Sequence, residues 1–597
     1  MPENKLEALR RAMKTHHADL CFVPTADAHG SEYPGAHDKA RAYLSGFTGS
    51  AGTLVVTADW AGLWTDGRYF LQAELQLKGT GITLYKDGEP GVPSLEEEIG
   101  RRLPQGGILA YDGTTVNRRL GGMLREIAMA KTGRALLVDL PGEVWPDRPP
   151  VSAEPVYELP LTVAGESRSS KLRRLRAALE EREADCHILT SLDDIAWLMN
   201  LRGKDIPCNP VFLSYLVVTM DRAVLFVQEG VVSEEINDSL RKDGVELRPY
   251  GRFFEELSDL SRSKYVLLDM EAASDRACAC LRQAREVCDG PSPVKLMKAV
   301  KNETEIEGMK AVHVKDGAAV TKFLYWLKTR VGKERITERS AAERLEEFRR
   351  EQKGYMGPSF ETIAGYGANG AIVHYSAAEE TDTELKAEGF FLVDSGGQYL
   401  EGTTDITRTI VLGALTEEQK CHFTAVLRGM LALGSAKFLH GCTGINLDHL
   451  AREPLWEMGL DYKHGTGHGV GFLLNVHEGP NGIRWKGKSA VFEAGMVTSD
   501  EPGFYLAGQY GIRTENLMLC KKAEKNSYGQ FLEFEFLTLA PIDKEGIAWN
   551  QMEKKDIRRL DQYHKAVYEA LAPYFSGDEL SWLEKATSPV GHKEIKF

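Results

Sequence analysis

Five side chains in the C-terminal third of this sequence are of types that could bind metal ions together: Asp394 in FLVDSGG, Asp405 in GTTDITRT, His468 in HGTGHGVG, Glu501 in SDEPGFY and Glu515 in GIRTENL. Four carboxylates and one imidazole form an oxygen-rich ligand set that suits manganese, cobalt or iron and would accept zinc, whereas a thiolate-rich set would select zinc outright. Four ionised carboxylates in a small volume repel and raise one another's pKa, so such a cluster is stable mainly when cations neutralise it. Two divalent ions carry four positive charges and would balance it.

Taken singly, each residue has a plainer reading. An aspartate before Ser-Gly-Gly is a common turn former, and so is a glutamate before Pro-Gly. His374, beside Ile372 and Val373, has the surroundings of a hydrogen-bonded core histidine. The combination carries the chemistry, and the elements around it show how it could assemble. Phe390 to Val393 reads as an apolar strand, and the Ser-Gly-Gly turn lets the chain return, so that Asp405, eleven residues after Asp394, would reach it on an antiparallel partner. The glycines flanking His468 would admit close approach of backbone and metal, with His464 four residues earlier. A helix over residues 298–327, with Ile306, Met309, Val312 and Val320 at helical spacing, opens this unit. From Ile547 on, Trp549, Leu560, Tyr563, Leu571 and Trp582 form a largely helical tail, suited to packing on the catalytic unit or on a subunit partner.

At 597 residues the chain exceeds what one core supports, and it must divide into domains. The first segment alternates strands, such as Thr53 to Thr57, Gly62 to Thr65 and Gly107 to Tyr111, with helix-like stretches, which gives a mixed α/β class. A proline-rich stretch from Pro141 to Pro160 interrupts regular structure and marks a boundary. A helix then starts after Ser169 and Ser170, which are good N-caps. Tyr43-Leu-Ser-Gly-Phe-Thr-Gly and Trp197-Leu-Met-Asn-Leu-Arg-Gly each precede a strand ending in Val-Val-Thr, at Val55 and at Val217, and read as an internal repeat. The expected organisation is 1–160, 161–297, a catalytic unit over 298–546 and a tail over 547–597.

The formal charge of -14 argues against a nucleic-acid partner. The nine cysteines contain no C-x-x-C pair and read as scattered reduced thiols. The first residues form an amphipathic helix with Leu6, Leu9 and Met13 on one face, without the apolar core of a signal peptide, and no run of about 18 apolar residues is present. A cytoplasmic location without membrane association is expected.

The sequence resembles the pita-bread family of metallopeptidases, which includes methionine aminopeptidase, prolidase, aminopeptidase P and the metal-free creatinase. Within it the stretches SFETIAGYGANGAIVHYSA, VDSGGQYLEGTTDITRT, HGTGHGVGFLLNVHEGP and EPGFY, together with YLSGFTGSAG, VWPDRPP and LDQYH, are similar to the long, three-domain aminopeptidase P group. The resemblance implies two related creatinase-like α/β domains followed by an α+β pita-bread catalytic domain, and a homodimer. It implies release of the N-terminal residue from peptides with proline second, a bond whose nitrogen has no hydrogen and which general peptidases therefore exclude.

Position by position, the resemblance implies that Asp394, Asp405 and Glu515 hold one divalent ion and Asp405, His468, Glu501 and Glu515 the other, with manganese expected and zinc, cobalt or iron admissible. A water shared by the ions would be the nucleophile and Glu501 could accept its proton. His374, His464 and His477 would surround the substrate, to hydrogen-bond the scissile carbonyl or pass a proton to the leaving proline nitrogen. Arg513 would support the metal carboxylates from behind. Asp500 departs from the Asn common before Glu-Pro-Gly in related sequences. Prolidase is the nearest rival, but it normally has one N-terminal domain and a shorter chain; a metal-free binding module or a creatinase-like amidinohydrolase conflicts with the intact ligand set.

Overall fold

The computed structural model describes residues 5–590. They form two compact units, one comprising residues up to Leu159 together with Glu166–Lys295, the other Pro160–Gly165 together with residues from Leu296 onward.

The first unit is built from two six-stranded sheets of the same design. In the first, β1 (Leu20–Pro24), β2 (Thr53–Thr57), β3 (Ala61–Thr65), β4 (Thr83–Lys86), β5 (Ile108–Tyr111) and β6 (Arg134–Leu137) lie in the order β4-β3-β2-β1-β5-β6. In the second, β7 (Cys186–Leu189), β8 (Ser214–Thr219), β9 (Ala223–Val227), β10 (Val245–Pro249), β11 (Tyr265–Leu268) and β12 (Glu286–Asp289) lie in the order β10-β9-β8-β7-β11-β12. In both, the pairings that join the first three strands in chain order are antiparallel and the others parallel. The two Val-Val-Thr segments occupy equivalent strands, β2 and β8, so the repeat read from the sequence is a repeat of topology.

The two sheets are joined by a buried ion cluster. Asp275, 1% exposed, accepts from the Tyr111 hydroxyl at 2.7 Å, from Arg118 at 3.0 Å and from Arg125. Burial opposes its charge, but these partners outweigh burial and hold the carboxyl below its ordinary pKa.

Several boundaries differ from the sequence reading. Helix α1 (Lys5–Thr15) buries Leu6, Leu9 and Met13 as expected. Helix α2 (Arg168–Glu180) starts earlier than Ser169 and Ser170 suggested, because Ser167 is the residue whose hydroxyl accepts from the Ser170 N–H. Pro141 sits in the first turn of a four-residue helix, where its missing N–H costs nothing, and the rest of the proline-rich stretch is largely irregular. The long helix α3 (Glu303–Arg330) begins after a separate helix at Pro293–Ala299; Asn302 and Glu305 close a capping box there.

In the second unit, β13 (Ile363–Tyr366), β14 (Phe390–Ser395) and β15 (Ile406–Val411) form an antiparallel sheet in which Asp394 pairs with Ile363 on one side and Thr407 on the other. A larger sheet runs β16-β23-β22-β19-β17-β18, built from β16 (Lys437–Leu439), β17 (Gly467–Gly469), β18 (Glu478–Ile483), β19 (Val497–Asp500), β22 (Asn516–Asn526) and β23 (Gly529–Phe536), with β20 (Gly503–Leu506) and β21 (Tyr510–Arg513) as a separate hairpin. Helices α4 (Glu338–Arg350), α5 (Glu417–Gly434) and α6 (Gly444–Trp456) cover these strands, and the tail supplies α7 (Lys554–Leu571) and α8 (Gly577–Thr587). Leu560, Tyr563, Val567 and Leu571 share one core with Val426, Leu427 and Ile512, so the tail packs on the catalytic unit. No helix among the described residues is long and apolar enough to cross a membrane.

Replacing Asp275 with Ala leaves two partly buried guanidinium groups without their carboxylate. The expected cost is about 3–5 kcal/mol, read as a lower midpoint in denaturant unfolding followed by a probe in the first unit.

Candidate metal centre

The apolar run Phe390 to Val393 buries β14 between its neighbours and delivers Asp394 at the strand's end. The following turn needs glycine: a Cβ on Gly396 would collide with the Thr404 carbonyl and the Ser359 hydroxyl. The return brings Asp405 to the residue before β15. Gly467, beside His468, lies so close to the Ser499 carbonyl that any larger residue would push β17 off β19. The glycine-rich reading of this segment has that physical basis. Glu501 follows β19 directly, and Glu515 stands between β21 and β22.

These segments place the five residues together. Asp405, His468 and Glu515 each offer a ligand atom, and the three atoms lie within 4.8 Å of one another. His468 Nε2 is 3.4 Å from Asp405 Oδ2 and 3.4 Å from Glu501 Oε1, ion-pair rather than hydrogen-bond distances. Its Nδ1 lies 3.0 Å from the Gly469 carbonyl, and with the proton on Nδ1 this bond orients the ring and leaves Nε2 as the ligand nitrogen. Ser499 Oγ accepts from the His468 backbone N–H at 2.9 Å and donates to Glu501 Oε1 at 3.2 Å, tying the segments of His468 and Glu501 together.

Arg513 and Thr407 organise the remaining carboxylates. Arg513 donates to Asp394 Oδ2 at 2.7 Å and to Thr407 Oγ1 at 3.2 Å, and the Thr407 hydroxyl donates to Glu515 Oε2 at 2.8 Å. Each of these two carboxylates thereby keeps one oxygen engaged. The other oxygens, Asp394 Oδ1 and Glu515 Oε1, are buried without a hydrogen-bond partner. Buried carboxylate oxygens are costly in that state, and a divalent ion is the group that this donor set would satisfy.

The electrostatics agree. Burial pushes the Asp394 carboxyl above its ordinary range against the pull of Arg513, and Asp405 adds to the rise. Burial also pushes Glu501 up to about 7, against His468 and Arg513. Glu515 is driven well above its usual value by burial and by the charges of Asp405 and Asp394. Burial disfavours the His468 imidazolium, but Asp405 and Glu501 outweigh it and push His468 up to about 9. Without cations the cluster retains protons that ligation would displace.

The three other histidines line the same region by different routes. His477 packs edge-on against the His468 ring, with centroids 4.3 Å apart. His464 Nε2 lies 2.9 Å from the Tyr505 hydroxyl, which accepts from Arg513 at 2.7 Å, so His464 is linked to Asp394 through Tyr505 and Arg513. His374 is half-buried in the turn after Ala371, and the carbonyl just before it, that of Val373, accepts from Arg513 at 3.4 Å. Asp500 is fully buried and neither of its carboxylate oxygens has a hydrogen-bond partner. Burial and the neighbouring Glu501 push it well above the ordinary carboxylate range. Burial thus favours its uncharged form, which is close in shape to Asn.

Sequence reasoning missed Tyr505, Thr407 and Ser499. Tyr505 ends the EPGFY motif and was readable as a polar tip beside the ligands; the two hydroxyls are marked only by strand register, which the sequence does not reveal.

Residues 5–148 and 147–305 each match the creatinase/prolidase N-terminal domain, residues 307–522 match metallopeptidase family M24, and residues 530–590 match the C-terminal region of that peptidase. Fold and site define a pita-bread metallopeptidase preceded by two creatinase-like α/β domains. The chain is 41% identical to a probable Xaa-Pro aminopeptidase P of Botryotinia fuckeliana, over 98% of this chain and 92% of that protein. It is 40% identical to aminopeptidase P2 of Arabidopsis thaliana, over 98% and 88%. The crystal structure of X-prolyl aminopeptidase from Caenorhabditis elegans, described as a cytosolic enzyme with a di-nuclear active site, superposes with a TM-score of 0.94 at 35% identity, covering 98% of this chain and 100% of that one. The chain belongs to the Xaa-Pro aminopeptidase P family.

Ligation requires a neutral imidazole and ionised carboxylates, so metal binding releases protons. Calorimetry at about pH 7.5 in buffers of different ionisation enthalpy is expected to show buffer-dependent heats, and metal affinity is expected to rise as pH rises from about 6 to about 9. A heat independent of buffer contradicts the raised values of His468 and Glu515. For Asp500 the sign is separate: an acid with a raised folded pKa contributes stability below its unfolded pKa and loses it as pH rises through the folded value. Asp500→Asn removes that loss and is expected to raise the thermal midpoint at alkaline pH, with peptide cleavage retained.

Proposed function

We infer that this chain is a metal-dependent exopeptidase that releases the N-terminal residue of peptides whose second residue is proline. The observation that carries the reading is the convergence of Asp394, Asp405, His468, Glu501 and Glu515 on one buried site with orphaned carboxylate oxygens, in a chain of this family. Asp394, Asp405 and Glu515 would hold one ion, and Asp405, His468, Glu501 and Glu515 the other. Manganese is the proposed metal, since oxygen-rich sites accept it readily. Bound divalent ions would polarise the scissile carbonyl and lower the pKa of water at the site.

The chain's own residues supply the rest. Glu501, beside His468, would take the proton of the attacking water. His477 and His374 would hydrogen-bond the carbonyl as it develops negative charge, and His464, oriented by Tyr505, would return a proton to the proline nitrogen as the C–N bond breaks. That nitrogen leaves as a secondary amine and must be protonated. Arg513 pulls against the effect of burial on Asp394 and aims its carboxylate.

The proposal extends to a domain organisation of 1–160, 161–297, 298–546 and 547–597, to a homodimer, and to a cytoplasmic location, which nine cysteines without a disulfide among them support. The net charge of -14 supports a peptide rather than a nucleic-acid partner.

Arg-Pro-Pro, Arg-Ala-Ala and Arg-Pro, incubated with the purified protein with and without manganese, test the reading by mass spectrometry of products. Free arginine is expected from Arg-Pro-Pro only with metal, and Arg-Ala-Ala is expected to stay intact. Cleavage confined to Arg-Pro would make it a dipeptidase. His468→Ala and Glu501→Ala are expected to lower kcat by about a thousandfold or more, with circular dichroism unchanged; near-normal turnover in either removes it from the metal site.

A further inference from the structure

The tail helix α7 reaches the metal-bearing strands through one buried arginine. Arg408 follows Thr407 on β15 and is 4% exposed. Its guanidinium donates to the main-chain oxygens of Thr407 at 2.9 Å and Glu515 at 2.7 Å. It also donates to those of Pro541 at 3.1 Å and Ala540 at 2.9 Å, to Asn516 Oδ1 at 2.9 Å, and to the Tyr563 hydroxyl of α7 at 2.7 Å. The Tyr563 hydroxyl in turn lies 2.8 Å from the Ala540 carbonyl and 3.1 Å from that of Thr538, and accepts from the Ala540 N–H at 3.3 Å.

Every one of these acceptors of Arg408 is neutral. A guanidinium buried among neutral acceptors is costly unless fixed negative charge lies near. Tyr563 first and the Glu515 side chain second act electrostatically against that cost, and the carbonyl of Glu515 accepts from Arg408. The same side chain therefore fixes the backbone of Glu515 against β15, offsets part of the crowded negative charge, and docks α7.

We propose that Arg408 and Tyr563 form a latch through which the C-terminal helix positions Glu515 for the metal ions, so that tail docking and metal affinity are coupled. The proposal rests on the reading of Glu515 as a metal ligand. Coupling is reciprocal: a bound metal steadies α7 as much as α7 steadies the metal site.

Tyr563→Phe tests it in the full-length protein, because it removes one hydroxyl and keeps the ring that packs on Phe536 with centroids 5.5 Å apart. Calorimetric titration of the metal-free variant with manganese(II) is expected to show a dissociation constant raised about tenfold, the lower end of what partners behind a metal ligand contribute. Under limiting metal kcat falls and recovers with excess metal, while KM stays unchanged. Hydrogen exchange adds a second readout: manganese is expected to increase amide protection of α7 in the wild type and to do so less in the variant. An unchanged dissociation constant together with a lower thermal midpoint in both metal-free and loaded forms would make Tyr563 a packing residue and overturn the latch. Arg408→Lys, if it folds, is expected to weaken metal binding at least as much. Glu515→Gln is the control on the underlying reading: it must lose metal, and if it binds normally the ligand assignment fails, a result separate from failure of the latch.

Discussion

Four carboxylates gathered at one point, three of them buried, dominate the physics of this protein. Asp394, Asp405, Glu501 and Glu515 come from different segments of the catalytic unit, and their shared burial opposes ionisation of Glu501, Asp394 and Glu515. The surrounding structure is organised to keep that charge tolerable. Arg513 engages Asp394, His468 stands between Asp405 and Glu501, and Arg408 lies behind Glu515. These cations do not complete the job, because two carboxylate oxygens, Asp394 Oδ1 and Glu515 Oε1, remain buried and unpartnered. The residual deficit of positive charge suits the site to divalent ions, because its carboxylates are already desolvated and already aimed.

The same network that restrains the ligands reaches the groups that would handle protons. Arg513 touches Asp394, Thr407 and Tyr505, and Tyr505 touches His464. A chain of hydrogen bonds from the Asp394 carboxylate to a histidine means that the orientation of His464 depends on the carboxylate cluster. The β20–β21 hairpin makes this possible: Gly503 pairs with Arg513 in register, which sets Tyr505 and Arg513 on neighbouring strands close enough to bond.

Buried charge is managed similarly in the first unit, with a structural outcome. Asp275 is enclosed by Arg118, Arg125 and Tyr111, all from the half of the unit built around the other sheet. Its charge is fully partnered, so nothing is left over for a ligand. The contrast with Asp394 and Glu515 is one of stoichiometry: there the carboxylates outnumber the available donors.

The sequence by itself determined the donor set, the apolar strand that carries Asp394, the glycines that permit tight turns beside Asp394 and His468, the repeat marked by Val55 and Val217, and the helical tail. These are properties of residue type and local spacing, which act over a few residues. Boundaries such as Ser167 in place of Ser169, or the break before Glu303, turned on which side chain closes a cap, a local competition between near-equivalent residues. Only the tertiary structure decided that Thr407 bonds to Glu515, Ser499 to Glu501 and Tyr505 to Arg513 and His464, that Asp500 is buried without hydrogen-bond partners for its carboxylate, and that Arg408 joins Glu515 to Tyr563. Those pairings span separations of up to 155 residues. They depend on strand register and on which faces pack together, and a shift of one residue in register would send the strand residues Thr407 and Arg408 to the opposite faces.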